Sequence, residues 1–280
     1  MSSHRFTQLD VFTNRALKGN PLAVVHGAQD LSDAQMQAFA RWTNLSETTF
    51  LLPPTDAAAD YRVRIFTPAR ELPFAGHPTL GSCHAWLSAG GRPKSTGMTV
   101  QQCAAGLVRV RRDDGTRLAF AAPPLQRSGE ADAATRAQIA RALRIEPAEM
   151  KAVQWVDNGP GWVAVLLESR DAVLALQPDF AAMQGLEVGV VAPCPPDHEA
   201  QFEVRAFVPG AGVAEDPVTG SLNAGLAQWL IGAGIAPPRY VAAQGTAMGR
   251  VGRVFVERDG DGTIWIGGGS VVVVDGQVSL

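Results

Sequence analysis

Glu71-Leu-Pro-Phe-Ala-Gly-His-Pro-Thr-Leu-Gly-Ser-Cys-His-Ala-Trp-Leu-Ser-Ala-Gly90 aligns without a gap on Glu215-Asp-Pro-Val-Thr-Gly-Ser-Leu-Asn-Ala-Gly-Leu-Ala-Gln-Trp-Leu-Ile-Gly-Ala-Gly234. Glu71, Pro73, Gly76, Gly81, Ala89 and Gly90 correspond to Glu215, Pro217, Gly220, Gly225, Ala233 and Gly234. Each copy follows a strand-like run and a Phe-x-Pro step, Phe66-Thr-Pro68 and Phe207-Val-Pro209. A fainter echo relates Asn20-Pro21 and the strand after it to Asn158-Gly-Pro160 and its strand. Gly, Ala and Pro are abundant enough to produce any one match, but the shared order points to a duplicated half.

In each copy a proline and then a glycine precede a helix, so the first-turn N–H groups are free of bulky neighbours. If the halves face each other about a pseudo-twofold axis, both helix N-termini point into one cleft and favour a bound carboxylate. A single copy would be read as glycine allowing tight helix packing; the pair favours a binding site. His77 follows Gly76 as Ser221 follows Gly220, with Asp216 and Thr219 close by in the second copy. Taken singly, the histidine would be a structural residue and the serine a helix cap.

Working outward, strand-like runs cover Arg5 to Phe12, Leu22 to His26, Thr48 to Leu52, Arg62 to Phe66, Met98 to Gln102 and Val108 to Arg112. An Asp114-Gly115 turn is expected to lead into Arg117 to Ala121. Ser32 with Gln35 forms a capping box for a helix through Trp42, with Asn44 as its stop. A second helix runs from about His77 to Leu87 and stops at Gly90-Gly91. Pro123-Pro124 reads as a linker between a half over 1–120 and one over 121–269. The second half holds helices near Ala133 to Leu143 and Gly220 to Ile231. Its strands lie at Trp162 to Leu167, Glu187 to Val191, Glu203 to Val208, Val251 to Glu257 and Thr263 to Ile266.

With 280 residues, 46% apolar and 18% charged, the chain is a well-packed globular protein. A net charge of -3 and a pI near 6.0 supply no basic field for nucleic acid. The N-terminus lacks an export signal and the longest apolar runs, Val271 to Val274 and Val163 to Leu167, are strand-sized, so a cytoplasmic protein without membrane spans is expected. Cys83, Cys103 and Cys194 are odd in number and widely spaced, which reads as reduced, mostly buried thiols. His77 and His84 stand roughly 10 Å apart along one helix, too far for one ion, so no metal is expected. No dinucleotide fingerprint opens a βαβ unit.

Glu47 begins an otherwise β-branched and apolar strand. A glutamate there belongs at a strand end, in a pair, or in a function. Five motifs in order, Gly19-Asn-Pro-Leu-Ala-Val, Asn44-Leu-Ser-Glu-Thr-Thr-Phe, Glu71-Leu-Pro-Phe-Ala-Gly-His77, Glu215-Asp-Pro-Val-Thr-Gly-Ser221 and Gln244-Gly-x-x-Met-Gly-Arg250, resemble those of the PhzF family of phenazine biosynthesis. The resemblance implies an α+β fold like that of diaminopimelate epimerase, with two pseudo-symmetric halves, each a curled mixed sheet around a central helix. A C-terminal strand, about 270–280, would return to the first half. It further implies a homodimer and an isomerase without cofactor, in which Glu47 shuttles a proton. His77, Asp216 and Ser221 would hold a small carboxylate substrate and assist, with Gly76 and Gly220 at the helix ends.

That chemistry needs only a carboxylate whose proton affinity a partly dry cleft has raised, able to move a proton between two carbons of a conjugated system. Asp216 could orient the His77 imidazole, and helix-end N–H groups would stabilise developing charge. Amino-acid epimerisation is the nearest alternative, but its two opposed cysteines have no counterpart before either helix, where Ala75 and Thr219 stand. A non-catalytic binder of small carboxylates is the other alternative, and it would not need Glu47.

Overall fold

A computed structural model describes residues 2–113, 117–211 and 213–280. The expected turn at Asp114-Gly115 lies outside the described residues. The chain divides into two compact units, Met1–Ala121 with Gly267–Leu280, and Ala122–Ile266.

The first unit contains β1 (Ser3–Val11), β2 (Asn20–Val25), α1 (Asp33–Thr43), β3 (Glu47–Leu52), β4 (Tyr61–Phe66), β5 (Glu71–Leu72), α2 (Gly76–Ser88), β6 (Met98–Cys103), β7 (Gly106–Asp113) and β8 (Arg117–Ala121). Strand β2 pairs antiparallel with β1 and parallel with β3, setting Leu22 opposite Glu47. Beyond β3, β4 is antiparallel to β3 and parallel to β6, and β6, β7 and β8 form an antiparallel meander. Helix α2 packs on β1, β2, β3, β6, β7 and β8, so the sheet curls around it. On the outer face Met36, Phe39 and Ala40 of α1 bury against Val25, Phe50 and Phe66. Covered on both faces, β2 is apolar after Asn20, while β3 buries Thr48 and Thr49 ahead of Phe50 and Leu51. Helix α1 starts on the Ser32–Gln35 capping box and ends at Asn44 in the left-handed conformation, φ 53°, as the sequence indicates.

The second unit contains β9 (Arg127–Glu130), α3 (Ala133–Leu143), β10 (Ala152–Asp157), β11 (Trp162–Leu166), α4 (Arg170–Ala175), β12 (Glu187–Pro193), β13 (Phe202–Phe207), β14 (Glu215–Asp216), α5 (Gly220–Gly232), β15 (Arg239–Gln244) and β16 (Gly252–Arg258), and its boundary at Ile266 falls within β17 (Ile264–Gly268). Its pairing directions repeat those of the first unit. Strands β10 and β11 are antiparallel, β11 and β12 parallel, β12 and β13 antiparallel, β13 and β15 parallel, β15 and β16 antiparallel. Trp162 stands opposite Glu187 as Leu22 stands opposite Glu47. Ile139, Leu143, Val153, Val165, Val173 and Val190 anchor its core.

The last strand, β18 (Ser270–Ser279), pairs antiparallel along the whole of β1. In the second unit the equivalent place beside β10 is filled by β9.

Candidate active site

Residues opposite each other in neighbouring strands share a face of the sheet. Leu22 lies on the α2 face, since a Cβ on Gly81 of α2 would come within 2.5 Å of the Leu22 Cδ2. Glu47, opposite Leu22, is therefore carried to the start of α2. There Glu47 Oε2 stands 3.5 Å from His77 Nε2, beyond hydrogen-bond length but in direct electrostatic reach, with the side chains 14% and 4% exposed. The other ring nitrogen, Nδ1, faces the amide Nδ2 of Asn20 at 3.3 Å, and Asn20 Oδ1 accepts from the Ser46 hydroxyl at 3.2 Å. Ser46, Asn20, His77 and Glu47 thus form one polar run, in which Asn20 is the partner of the ring at Nδ1. Burial pulls the His77 pKa down to about 3, so the imidazole is neutral at ordinary pH.

Helix α2 begins at Gly76 behind the N-cap Ala75, with neither a capping side chain nor an acidic residue in its first turn. Helix α5 begins in the same way at Gly220 behind Thr219. The positive end of each helix dipole is left without a carboxylate of its own helix.

In the second unit the Thr219 hydroxyl donates to Asp216 Oδ2 at 2.6 Å instead of capping the helix. Its direction follows from Gln244, whose Nε2 donates to Thr219 Oγ1 at 2.9 Å, while Gln244 Oε1 accepts from Thr219 N and Asn223 Nδ2. The first two residues of the Gln244–Arg250 motif are thereby explained. Its glutamine ties the Asp216 loop, and a Cβ on Gly245 would lie 2.7 Å from the Pro217 carbonyl oxygen, so only glycine allows this approach. Ser221 Oγ accepts from Trp162 Nε1 at 3.0 Å, and its carbonyl accepts from Asn158 Nδ2 at 2.8 Å. Asn20 and Asn158, the fainter echo in the sequence, thus hold the matched residues His77 and Ser221.

A further matched pair escaped the sequence reading. Arg64 grips Glu71 through Nε at 2.8 Å and Nη2 at 2.6 Å, and Arg205 grips Glu215 through the same two nitrogens at 2.9 Å each. The third nitrogen of each fork reaches a flanking helix, Asp33 of α1 in one unit and the Val173 and Leu176 carbonyls at the end of α4 in the other. An arginine two residues before the phenylalanine of each Phe-x-Pro step was the available signal.

The structure therefore groups Glu47, Gly76 and His77 in the first unit, and Asp216, Gly220 and Ser221 in the second. Burial pushes the Cys83 thiol up to about 12 and that of Cys194 to about 11, and raises that of Cys103 as well. Protonated thiols of this kind are poor bases. Among the described residues no helix is long and apolar enough to cross a membrane.

Residues 9–276 match the profile of the PhzC-PhzF family, described as phenazine biosynthesis-like protein. A trans-2,3-dihydro-3-hydroxyanthranilate isomerase of Pseudomonas aeruginosa is 33% identical, the alignment covering 99% of this chain and all of the relative. The antisense-enhancing sequence 1 protein of Schizosaccharomyces pombe is 35% identical, with 99% of each chain covered. The crystal structure of a PhzF-family phenazine biosynthesis protein from Enterococcus faecalis superposes over the full length of both chains with a TM-score of 0.83 and 25% identity. Its duplicated α+β fold is thus the diaminopimelate epimerase-like one, and the chain belongs to the PhzC-PhzF family as an isomerase of the PhzF type.

Proposed function

We propose that this isomerase moves a proton between two carbons of a small conjugated substrate bearing a carboxylate, with Glu47 as the acid/base that carries it. The observation behind this reading is the mostly buried Glu47 carboxylate beside a neutral imidazole at the uncapped start of α2. A carboxylate so placed can take a proton from carbon and return it, because the imidazole beside it is neutral and few waters compete. Asp216 and His77 assist the transfer. The backbone at Gly76 and Gly220 and the side chains of His77, Asp216 and Ser221 contact the substrate, whose charge suits a helix N-terminus.

The compound named for the Pseudomonas relatives, trans-2,3-dihydro-3-hydroxyanthranilate, is the first to test. In deuterated water the wild-type protein should place deuterium in recovered substrate or product. Glu47→Gln should still bind, by calorimetry, while incorporation falls at least about 100-fold, the usual size of an acid/base contribution. Unchanged turnover in Glu47→Gln removes the glutamate from the reaction.

A further inference from the structure

Asn20 is fully buried and His77 nearly so, which leaves the contact between them without competing solvent. An amide nitrogen can only donate, and a neutral imidazole has one donor and one acceptor nitrogen. With Asn20 Nδ2 facing Nδ1 at 3.3 Å, Nδ1 must accept, and the ring proton must sit on Nε2, the nitrogen that stands 3.5 Å from Glu47. The Ser46 hydroxyl donates to Asn20 Oδ1, in keeping with an amide whose nitrogen faces the ring.

We infer that Asn20 is a positioning residue that holds His77 as the Nε2–H tautomer and so makes it a donor toward Glu47 and never a base. This rests on the reading of Glu47 as the proton carrier. A ring with a bare Nε2 would offer a second resting place for the proton that Glu47 has just taken from carbon. With Nε2 already protonated, the proton stays on the carboxyl group until it returns to the substrate. The N–H also suits both states of Glu47, because a carboxylate and the carbonyl oxygen of a carboxylic acid both accept. The second unit supports the inference independently. Asn158 and Trp162 there both donate to Ser221, and the Trp162 bond takes a lone pair of its oxygen, so that the hydroxyl proton is free to be donated. Both matched positions present a proton and neither presents a base.

Nitrogen-15 NMR of the histidine rings tests this without any substrate, the His77 signals being assigned by their loss in His77→Gln. The wild-type protein should show Nε2 protonated and Nδ1 bare. Asn20→Asp, whose carboxylate accepts from Nδ1–H, should move the proton to Nδ1. With trans-2,3-dihydro-3-hydroxyanthranilate as probe, it should lower kcat at least about tenfold with little change in KM, as a wrong tautomer does in other acid/base sites. A wild-type ring protonated on Nδ1, or an Asn20→Asp ring unchanged from wild type, overturns the inference, and the first measurement holds even if the variant does not fold. The reading of Glu47 fails separately, through unchanged turnover in Glu47→Gln with the wild-type tautomer as stated here.

Discussion

Arg205 and its partner Glu215 have side chains 7% and 12% exposed, whereas the matching Arg64 and Glu71 are 17% and 34% exposed. Removing one member of a buried ion pair strands the other charge in a poorly solvated place, which costs about 3–5 kcal/mol. Arg205→Met should therefore destabilise the protein by about that much, and Arg64→Met by clearly less, as read from urea denaturation midpoints. At this scale the sequence was only partly legible. Glu47, His77, Asp216 and Ser221 stood out because they sit in motifs that repeat or resemble a family. Asn20, Ser46 and Arg205 act across gaps of 57, 26 and 10 residues, through hydrogen bonds for which no local pattern exists. Gln244 was visible as part of a motif, but its grip on Thr219 needed the fold.

The matched helix glycines show the same duplication one level up. A Cβ on Gly81 would come 2.5 Å from the end of the Leu22 side chain, which can turn aside, while one on Gly225 would lie 2.2 Å from the Val156 carbonyl oxygen, which cannot. Gly225→Ala should then destabilise by about 3 kcal/mol or more and Gly81→Ala by about 1 kcal/mol, in the range for overpacked cores, measured by chemical denaturation. These two glycines are packing devices, while the glycines at the helix starts belong to the candidate site. Among elements, those with strong punctuation were legible: the capping box of α1, the glycine stop of α2, the alternating β4. Those that went unnoticed draw their order from neighbours. Strand β9, Arg-Ser-Gly-Glu, is exposed throughout and contains a glycine at φ 101°, so only pairing with β10 makes it a strand. Helix α4 has six residues, too few to be stable alone, and takes support from the Arg205 fork on its last carbonyls. Strand β15 is rich in alanine, which carries little β signal.

For the molecule as a whole, buried His77 and the half-buried His26 and His84, all lowered by burial, weaken the fold in acid. Burial lowers His77 from 6.5 to about 3, and His26 to about 4 by burial first and then by the nearby Arg5, with Asp275 opposing. Both rings stay neutral in the folded chain while the same rings take up protons in the unfolded chain below about 6.5. Between pH 6.5 and about 4 the unfolded state therefore binds more protons, and stability falls as pH falls. His26→Gln should flatten the decline of the melting temperature over that window relative to wild type, and an unchanged slope would remove His26 as a cause.

The place beside the first strand of each unit is filled differently: β9 for the second, and for the first β18, which follows more than 140 residues after β8. During synthesis the second unit can complete itself as soon as its own uninterrupted stretch has left the ribosome. The first must wait, at the usual speeds of translation, for roughly 10 to 30 s with one edge of β1 open. An open edge invites pairing with other chains, and strands that must stay open are commonly kept polar. His4, Arg5, Thr7, Gln8 and Asp10 make β1 such a strand, so its composition serves the newborn chain as well as the finished one.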